Sequence, residues 1–308
     1  MFTIDTFPVY APRILPKAEP FVSCRRSCKG CGKAIAARIA AKAISSEPFS
    51  HALLSSANHS LSSHAYSHNS IETINILEEY FRLTDTINRA ASDKSKSGHK
   101  AIQKPVIGIS RHIIKSDYLA LAGLLQSSRS ALYLCFDNES YIDEFINTAG
   151  VQAFTVNDTR HPTSQSEIDE MISEKNLPGD LMNENFSYCA TACTSFLFDF
   201  IEKIKKGIAC EGNAFILVLT PCPTGWGFSP KFAHTMGAYA VQTGYFPLYE
   251  ISNNKYTVSQ QLAQRKPVQQ FLTMQKRFST FPAPLLPSLQ TAIDGFCNGL
   301  LKKTLGKT

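Results

Sequence analysis

Three apolar, strand-sized runs with helical stretches between them constrain this chain more than any other feature. They are Pro105–Ser110, Ala131–Phe136 and Asn213–Thr220, and helical segments lie between them at 117–126 and 196–208. Strands that alternate with helices predict an α/β fold with a mostly parallel sheet covered on both faces. In such sheets a ligand sits beyond the carboxyl ends of the strands. The residues to inspect are therefore Ser110–His112, Asp137–Tyr141 and Pro221–Trp226.

The rest of the chain arranges around that sheet. Residues 1–20 carry four prolines and little periodicity, and read as an arm. Residues 33–44 (KAIAARIAAKAI) place Ile35, Ile39 and Ala43 at helical spacing, and the helix they predict begins just after Cys31-Gly32. Residues 45–70 are rich in Ser and His. His51, His59, His64 and His68 read there as part of a polar loop, because no pair has the spacing typical of zinc ligands. A helix is expected over Ile71–Ile87 and an exposed linker over 91–104. The domain reading is an arm at 1–20, a main domain at 21–258 and a C-terminal extension at 259–308, with a terminal helix from Ser288 to Lys303.

Composition excludes several classes. The chain has 308 residues, 44% of them hydrophobic, enough for a substantial core. The net charge is +6 and the basic residues are scattered; the Lys203, Lys205 and Lys206 cluster reads as the solvated face of a helix. With no basic stripe interleaved with aromatics, no nucleic acid is expected. The longest apolar run, Ala214–Leu219, falls far short of the ~20 residues of a membrane-spanning helix, so no membrane is expected either. No basic start followed by an apolar stretch marks the N-terminus as a secretory signal, which points to the cytoplasm. There, nine cysteines serve as buried thiols, metal ligands or reactive groups rather than disulfides.

Cys28-Lys-Gly-Cys31-Gly is a tight C-x-x-C loop running into a helix. It can bring two thiolates to one metal, and the helix N-terminus favours the thiolate form. The same motif serves zinc and dithiol chemistry, though no βαβ pattern precedes it as in thioredoxins. Cys24 extends it to C-x3-C-x2-C, a spacing shared with radical enzymes that use S-adenosylmethionine. In those enzymes the last cysteine usually follows an aromatic residue; here it follows Gly30. Cys222 ends the third strand in Thr-Pro-Cys-Pro-Thr-Gly-Trp, at the mouth of the sheet, where it can meet a distant loop. Cys135, Cys189, Cys193, Cys210 and Cys297 read as small buried hydrophobes.

In order and approximate spacing, these pieces resemble the beta subunit of 2-oxoacid:ferredoxin oxidoreductases, the pyruvate:ferredoxin oxidoreductase group. Four blocks carry the resemblance: Cys28–Gly32, Leu132–Tyr141 (LYLCFDNESY), Pro221–Gly227 (PCPTGWG) and Val241–Glu250 (VQTGYFPLYE). A weaker fifth joins Lys266-Pro267-Val to Gln275-Lys-Arg277-Phe278, and together they span most of residues 21–281. The resemblance implies a thiamine-diphosphate-binding fold and oxidative decarboxylation of a 2-oxoacid, pyruvate foremost, with coenzyme A. It implies electrons leaving through a [4Fe–4S] cluster to a ferredoxin, and alpha-, gamma- and delta-type partner subunits. Cofactor-binding positions on this reading are Gly32, Asp137, Asn138, Ser140 and Arg111. Asn138 and the carbonyl of Ser140 stand at magnesium-ligand positions, and Asp143 stands where the family's substrate-facing Asn lies.

The sequence departs from the family's pattern in three places. Where the family carries Gly-Asp-Gly after the first strand, this chain has Gly108-Ile109-Ser110-Arg111-His112, with no carboxylate. Phe145 replaces a glycine that admits close backbone approach. No cysteine occurs between Cys31 and Cys135, so the family's third cluster cysteine is missing, and Cys24 is the substitute that completes Cys24, Cys28, Cys31 and Cys222. Three readings stay open at this point. The chain retains thiamine diphosphate and Mg²⁺; or that site has decayed and the chain is a structural or electron-transfer subunit; or it is a zinc-binding structural protein using Cys24, Cys28 and Cys31.

Overall fold

The computed structural model describes residues 28–45, 106–110, 130–139, 162–184, 186–260 and 264–306. Their centre is a six-stranded sheet in the order β1-β2-β4-β3-β5-β6. Strands β1 (Val106–Ser110), β2 (Leu132–Asp137), β3 (Phe186–Cys193) and β4 (Asn213–Leu219) run parallel. The pair β5 (Tyr249–Ser252) and β6 (Lys255–Val258) adds an antiparallel edge. Its two-residue turn places Asn253 at φ 50° and Asn254 at φ 59°, the left-handed pair that matches strand twist and that Asn tolerates.

The three strands expected from the apolar runs form close to their expected limits. β3 carries little signal of its own: FSYCATAC has two aromatics at its start, and the rest is small or sulfur-bearing residues. Its strand character comes from pairing between β4 and β5, with Cys189 opposite Phe215 and Ala190 opposite Ile216. Neighbouring strands, rather than intrinsic preference, decide such a segment.

Side chains alternate across the sheet into two cores. One face joins Leu132, Leu134, Phe136, Tyr188, Ala190, Ala192, Ile216 and Val218 to helices α1 (Gly32–Ser45) and α4 (Leu197–Ala209). The other joins Tyr133, Cys135, Cys189, Cys193, Phe215 and Leu217 to α2 (Gln165–Glu174), α3 (Leu177–Met182), α6 (Ala233–Gln242), α7 (Val268–Leu272) and α8 (Leu286–Thr304). The terminal helix α8 buries Leu289, Ile293, Cys297 and Leu300. The expected helices at 71–87 and 117–126, the four histidines of 45–70 and the N-terminal arm lie outside the described residues. Among the described residues no helix is long and apolar enough to cross a membrane.

The helix expected over 33–44 forms as α1; it buries Ala36, Ala37, Ala40, Ala43 and Ile44 and leaves Ile35 40% exposed. Small alanines let its backbone lie close against α4, which a branched side chain would prevent. Two expectations need correction. Lys203 is not on a solvated face. Its side chain is 2% exposed, and Nζ donates to the Thr191 carbonyl at 2.8 Å and to Asp199 at 2.7 Å. Lys206, by contrast, is exposed and pairs with Glu250 at 2.6 Å. Of the cysteines read as buried, Cys135, Cys189, Cys193 and Cys297 are so, whereas Cys210 at the end of α4 is half-buried.

Candidate functional site

The carboxyl ends of β2 and β4 meet in a turn held from every side. The main chain of Asp137 receives both the N–H (2.7 Å) and the hydroxyl (2.9 Å) of Thr220, which extends the β2–β4 pairing one step past the strands. One carboxylate oxygen of Asp137 accepts from the N–H of Glu139 at 2.8 Å, an Asx turn that bends the chain over Asn138. Glu139 then adopts φ 46°, a left-handed conformation uncommon for a side-chain-bearing residue. Asn138 is buried, and its carbonyl accepts from the indole N–H of Trp226 at 2.7 Å.

Two cations stabilise that unusual backbone. Lys175 reaches the Glu139 carboxylate at 2.6 Å and lies 4.1 Å above the Tyr245 ring. Arg277 donates to the Glu139 carbonyl at 2.9 Å and to its carboxylate at 3.3 Å, and lies 4.1 Å over the Trp226 ring. Burial alone would raise the Glu139 carboxyl; Lys175 and Arg277 override it and hold the group below the usual carboxylate range. The Tyr245 hydroxyl is pushed up by burial and by the Glu139 charge. Thr191, in the middle of β3, fastens the Val241–Glu250 block by donating to the Pro247 carbonyl at 2.7 Å and accepting from the Tyr249 N–H at 2.9 Å.

The cysteine loop is built against the end of β4. The Cys31 N–H closes the turn on the Cys28 carbonyl at 3.2 Å, with Gly30 at φ 71°. A side chain at Gly32 would place its Cβ 2.5 Å from the Pro221 carbonyl oxygen, and one at Gly30 would place it 2.9 Å from Pro230 Cβ. Only glycines admit the loop to this position. Cys222 caps the short helix α5 (Pro223–Trp226), its sulfur accepting from the Gly225 N–H at 3.2 Å. Cys28, Cys31 and Cys222 therefore stand on two backbone segments in van der Waals contact. Burial pushes the Cys31 thiol up, outweighing the lowering by the Ala34 N–H and Lys33.

Among the described residues, no three Cys, His, Asp or Glu side chains gather closely enough to hold a metal ion. None of the eight described cysteines is in a disulfide. Of the residues named from sequence, Gly32, Asp137, Asn138, Cys28, Cys31 and Cys222 fall within this assembly. Cys24, Arg111, Ser140 and Asp143 lie outside the described residues. Sequence reasoning missed Lys175, an isolated lysine behind a helix with no motif around it. Arg277 stood in the weakest block, and nothing in the sequence indicated that it closes on Glu139.

No family model matches the chain. It is 30% identical over 297 residues to a pyruvate synthase subunit PorB of Methanocaldococcus jannaschii, covering 92% of this chain and 96% of that one. A PorB of Methanothermobacter thermautotrophicus is 28% identical, with 93% and 99% covered. A ketoisovalerate oxidoreductase subunit VorB of Pyrococcus furiosus is 32% identical over 56% of each chain. With relatives matched over nearly their whole length, this chain belongs to the beta subunits of the 2-oxoacid:ferredoxin oxidoreductases.

Proposed function

We propose that the chain is the beta-type subunit of an assembly that oxidatively decarboxylates pyruvate to its acyl-CoA and passes the electrons through a [4Fe–4S] cluster to a ferredoxin. The observation that carries this reading is the contact of the Cys28–Cys31 loop with the Cys222 turn, made possible by Gly32 lying on Pro221. Pyruvate is the substrate of choice because the relatives matched over more than nine-tenths of this chain are named pyruvate synthase subunits. The ketoisovalerate relatives match over little more than half of it. Alpha-, gamma- and delta-type subunits would complete the assembly in a reducing cytoplasm. Thiols suit an iron–sulfur group, whose several irons set its ligands wider apart than a single metal ion does, and Cys24, Cys28, Cys31 and Cys222 would hold it. Such a group takes up electrons one at a time.

Iron and sulfide analysis of the anaerobically purified complex tests this. Four irons and a band near 400 nm are expected by the ordinary behaviour of such clusters, with occupancy reduced in Cys24→Ser. Full occupancy in that variant would remove Cys24 from the ligand set. Zinc in place of iron would sink the cluster reading.

A second reading is favoured by one specific observation. Thiamine diphosphate with Mg²⁺ does not fit the described residues at the strand ends. Mg²⁺ asks for one or two carboxylates beside the phosphates. The last residues of β1, Gly108-Ile109-Ser110, supply none, Asp137 is engaged with the Glu139 N–H, and Glu139 is engaged by Lys175 and Arg277. On this reading the chain contributes the electron path and the scaffold, without thiamine chemistry of its own. Calorimetry of the purified complex with thiamine diphosphate and Mg²⁺ separates the two; micromolar binding that depends on this chain's Asn138 would end the second reading.

A further inference from the structure

Among the described residues only three large hydrophobic side chains stand exposed: Ile35 at 40%, Phe232 at 43% and Leu305 at 69%. Two of the three flank the cysteine loop. Ile35 is one helical turn beyond Cys31, its N–H donating to the Cys31 carbonyl at 3.1 Å. Phe232 belongs to the exposed turn Pro230–Phe232, against whose first residue Gly30 is pressed. Two exposed lysines accompany them: Lys29 within the loop, and Lys231, whose Nζ lies 4.9 Å from the Phe232 ring.

The two described backbone segments that form this rim carry formal charge of one sign. Residues 28–45 contain Lys29, Lys33, Arg38 and Lys42 and no Asp or Glu. Residues 213–249 contain Lys231 and, again, no Asp or Glu. The two backbone segments that meet at the cysteines thus bring cations and no carboxylate of their own. Apolar side chains set among same-sign charges suit brief, electrostatically steered encounters with a protein of opposite charge. Burying a rim of this size gives a contact at the small, transient end of the range.

We propose that this rim, comprising Lys29, Ile35, Lys231 and Phe232, is the landing surface for an acidic electron-carrier protein. The proposal rests on the cluster reading above, since the rim is useful to such a carrier only if electrons leave at the cysteine loop.

The test uses the assembled complex under anaerobic conditions, with pyruvate and coenzyme A. Two acceptors are compared: an acidic two-cluster ferredoxin and methyl viologen. In Lys231→Glu and in Phe232→Ser, KM for the ferredoxin should rise roughly tenfold while kcat with methyl viologen holds, as expected when a rim charge governs encounter. Lys255→Glu, an exposed site on β6, should leave both unchanged. Wild-type kcat/KM for the ferredoxin should fall as salt rises. An unchanged ferredoxin KM in Lys231→Glu would overturn the proposal. So would loss of another subunit from the purified variant, which would assign the rim to a permanent partner. If the wild type reduces neither acceptor, the functional reading itself fails, and the proposal with it.

Discussion

Arg277 donates to the main-chain carbonyl of Glu139 at 2.9 Å across 138 residues of sequence. The same guanidinium lies on the Trp226 ring at 4.1 Å. One side chain thereby ties the turn after β2 to the helix after β4. Removing it leaves the Glu139 carboxylate buried with Lys175 as its remaining cation. Arg277→Met should cost about 3–5 kcal/mol, the usual penalty for breaking a buried pair on one side. Chemical unfolding of the two proteins measures it, and a loss below about 1 kcal/mol would mean that Lys175 alone suffices.

The same network predicts a pH dependence. Glu139 is held below its ordinary value in the folded chain. Its contribution is therefore present above the unfolded value of about 4.3 and is lost as pH falls through the lower, folded one. In Arg277→Met burial regains weight and the carboxyl rises, so acid unfolding should begin at higher pH. Thermal melts between pH 7 and pH 3 would show the two curves separating on the acid side; parallel curves would refute the assignment.

Trp226→Phe keeps most of the ring and deletes one donor. The Asn138 carbonyl loses its 2.7 Å partner in a site where Trp226 is fully buried. A loss of about 1–3 kcal/mol is expected in urea unfolding, the cost of leaving a buried acceptor unsatisfied.

Gly32→Ala tests the seating of the cysteine loop. The new methyl group would lie 2.5 Å from the Pro221 carbonyl oxygen, a backbone atom that cannot step aside cheaply. The loop should lift from the Cys222 turn, at a cost of about 1–3 kcal/mol. Iron content after reconstitution should fall below half that of the wild type; unchanged iron together with unchanged stability would show that the contact is dispensable.

Lys203 offers a contrast between charge and volume. Lys203→Met retains the buried stem and loses the donor to Thr191 and Asp199. Lys203→Ala loses the stem as well. The alanine variant should be the less stable by about 1–3 kcal/mol, the added cost of the cavity. Equal losses would place the whole effect in the ammonium.

Most of the sheet could be read from sequence because β1, β2 and β4 advertise themselves as apolar runs. β3 did not, since its identity lies in its partners: alanines, cysteines and a threonine become a strand when β4 and β5 pair with them. Gly32, Asp137, Asn138, Cys28, Cys31 and Cys222 were visible because each sits in a short block of fixed spacing. Lys175 and the reach of Arg277 to Glu139 were not, because a salt bridge across 138 residues leaves no local pattern. Lys203 was misread for a related reason. Its neighbours Lys205 and Lys206 set the expectation, while the 100° step of the helix turns one of the three inward.

The contact between Gly32 and Pro221 also fixes an order of events during synthesis. Cys28 and Cys31 leave the ribosome 191 residues before Cys222 when counted from the second of them. At 5–20 residues per second that is roughly 10–40 s. For that interval the first two thiols are in the cell without the turn against which they close. A chain of this design would be most open to oxidation or to capture by the wrong metal while nascent. On the cluster reading proposed above, the inorganic group would be accepted only after translation has passed the fourth strand.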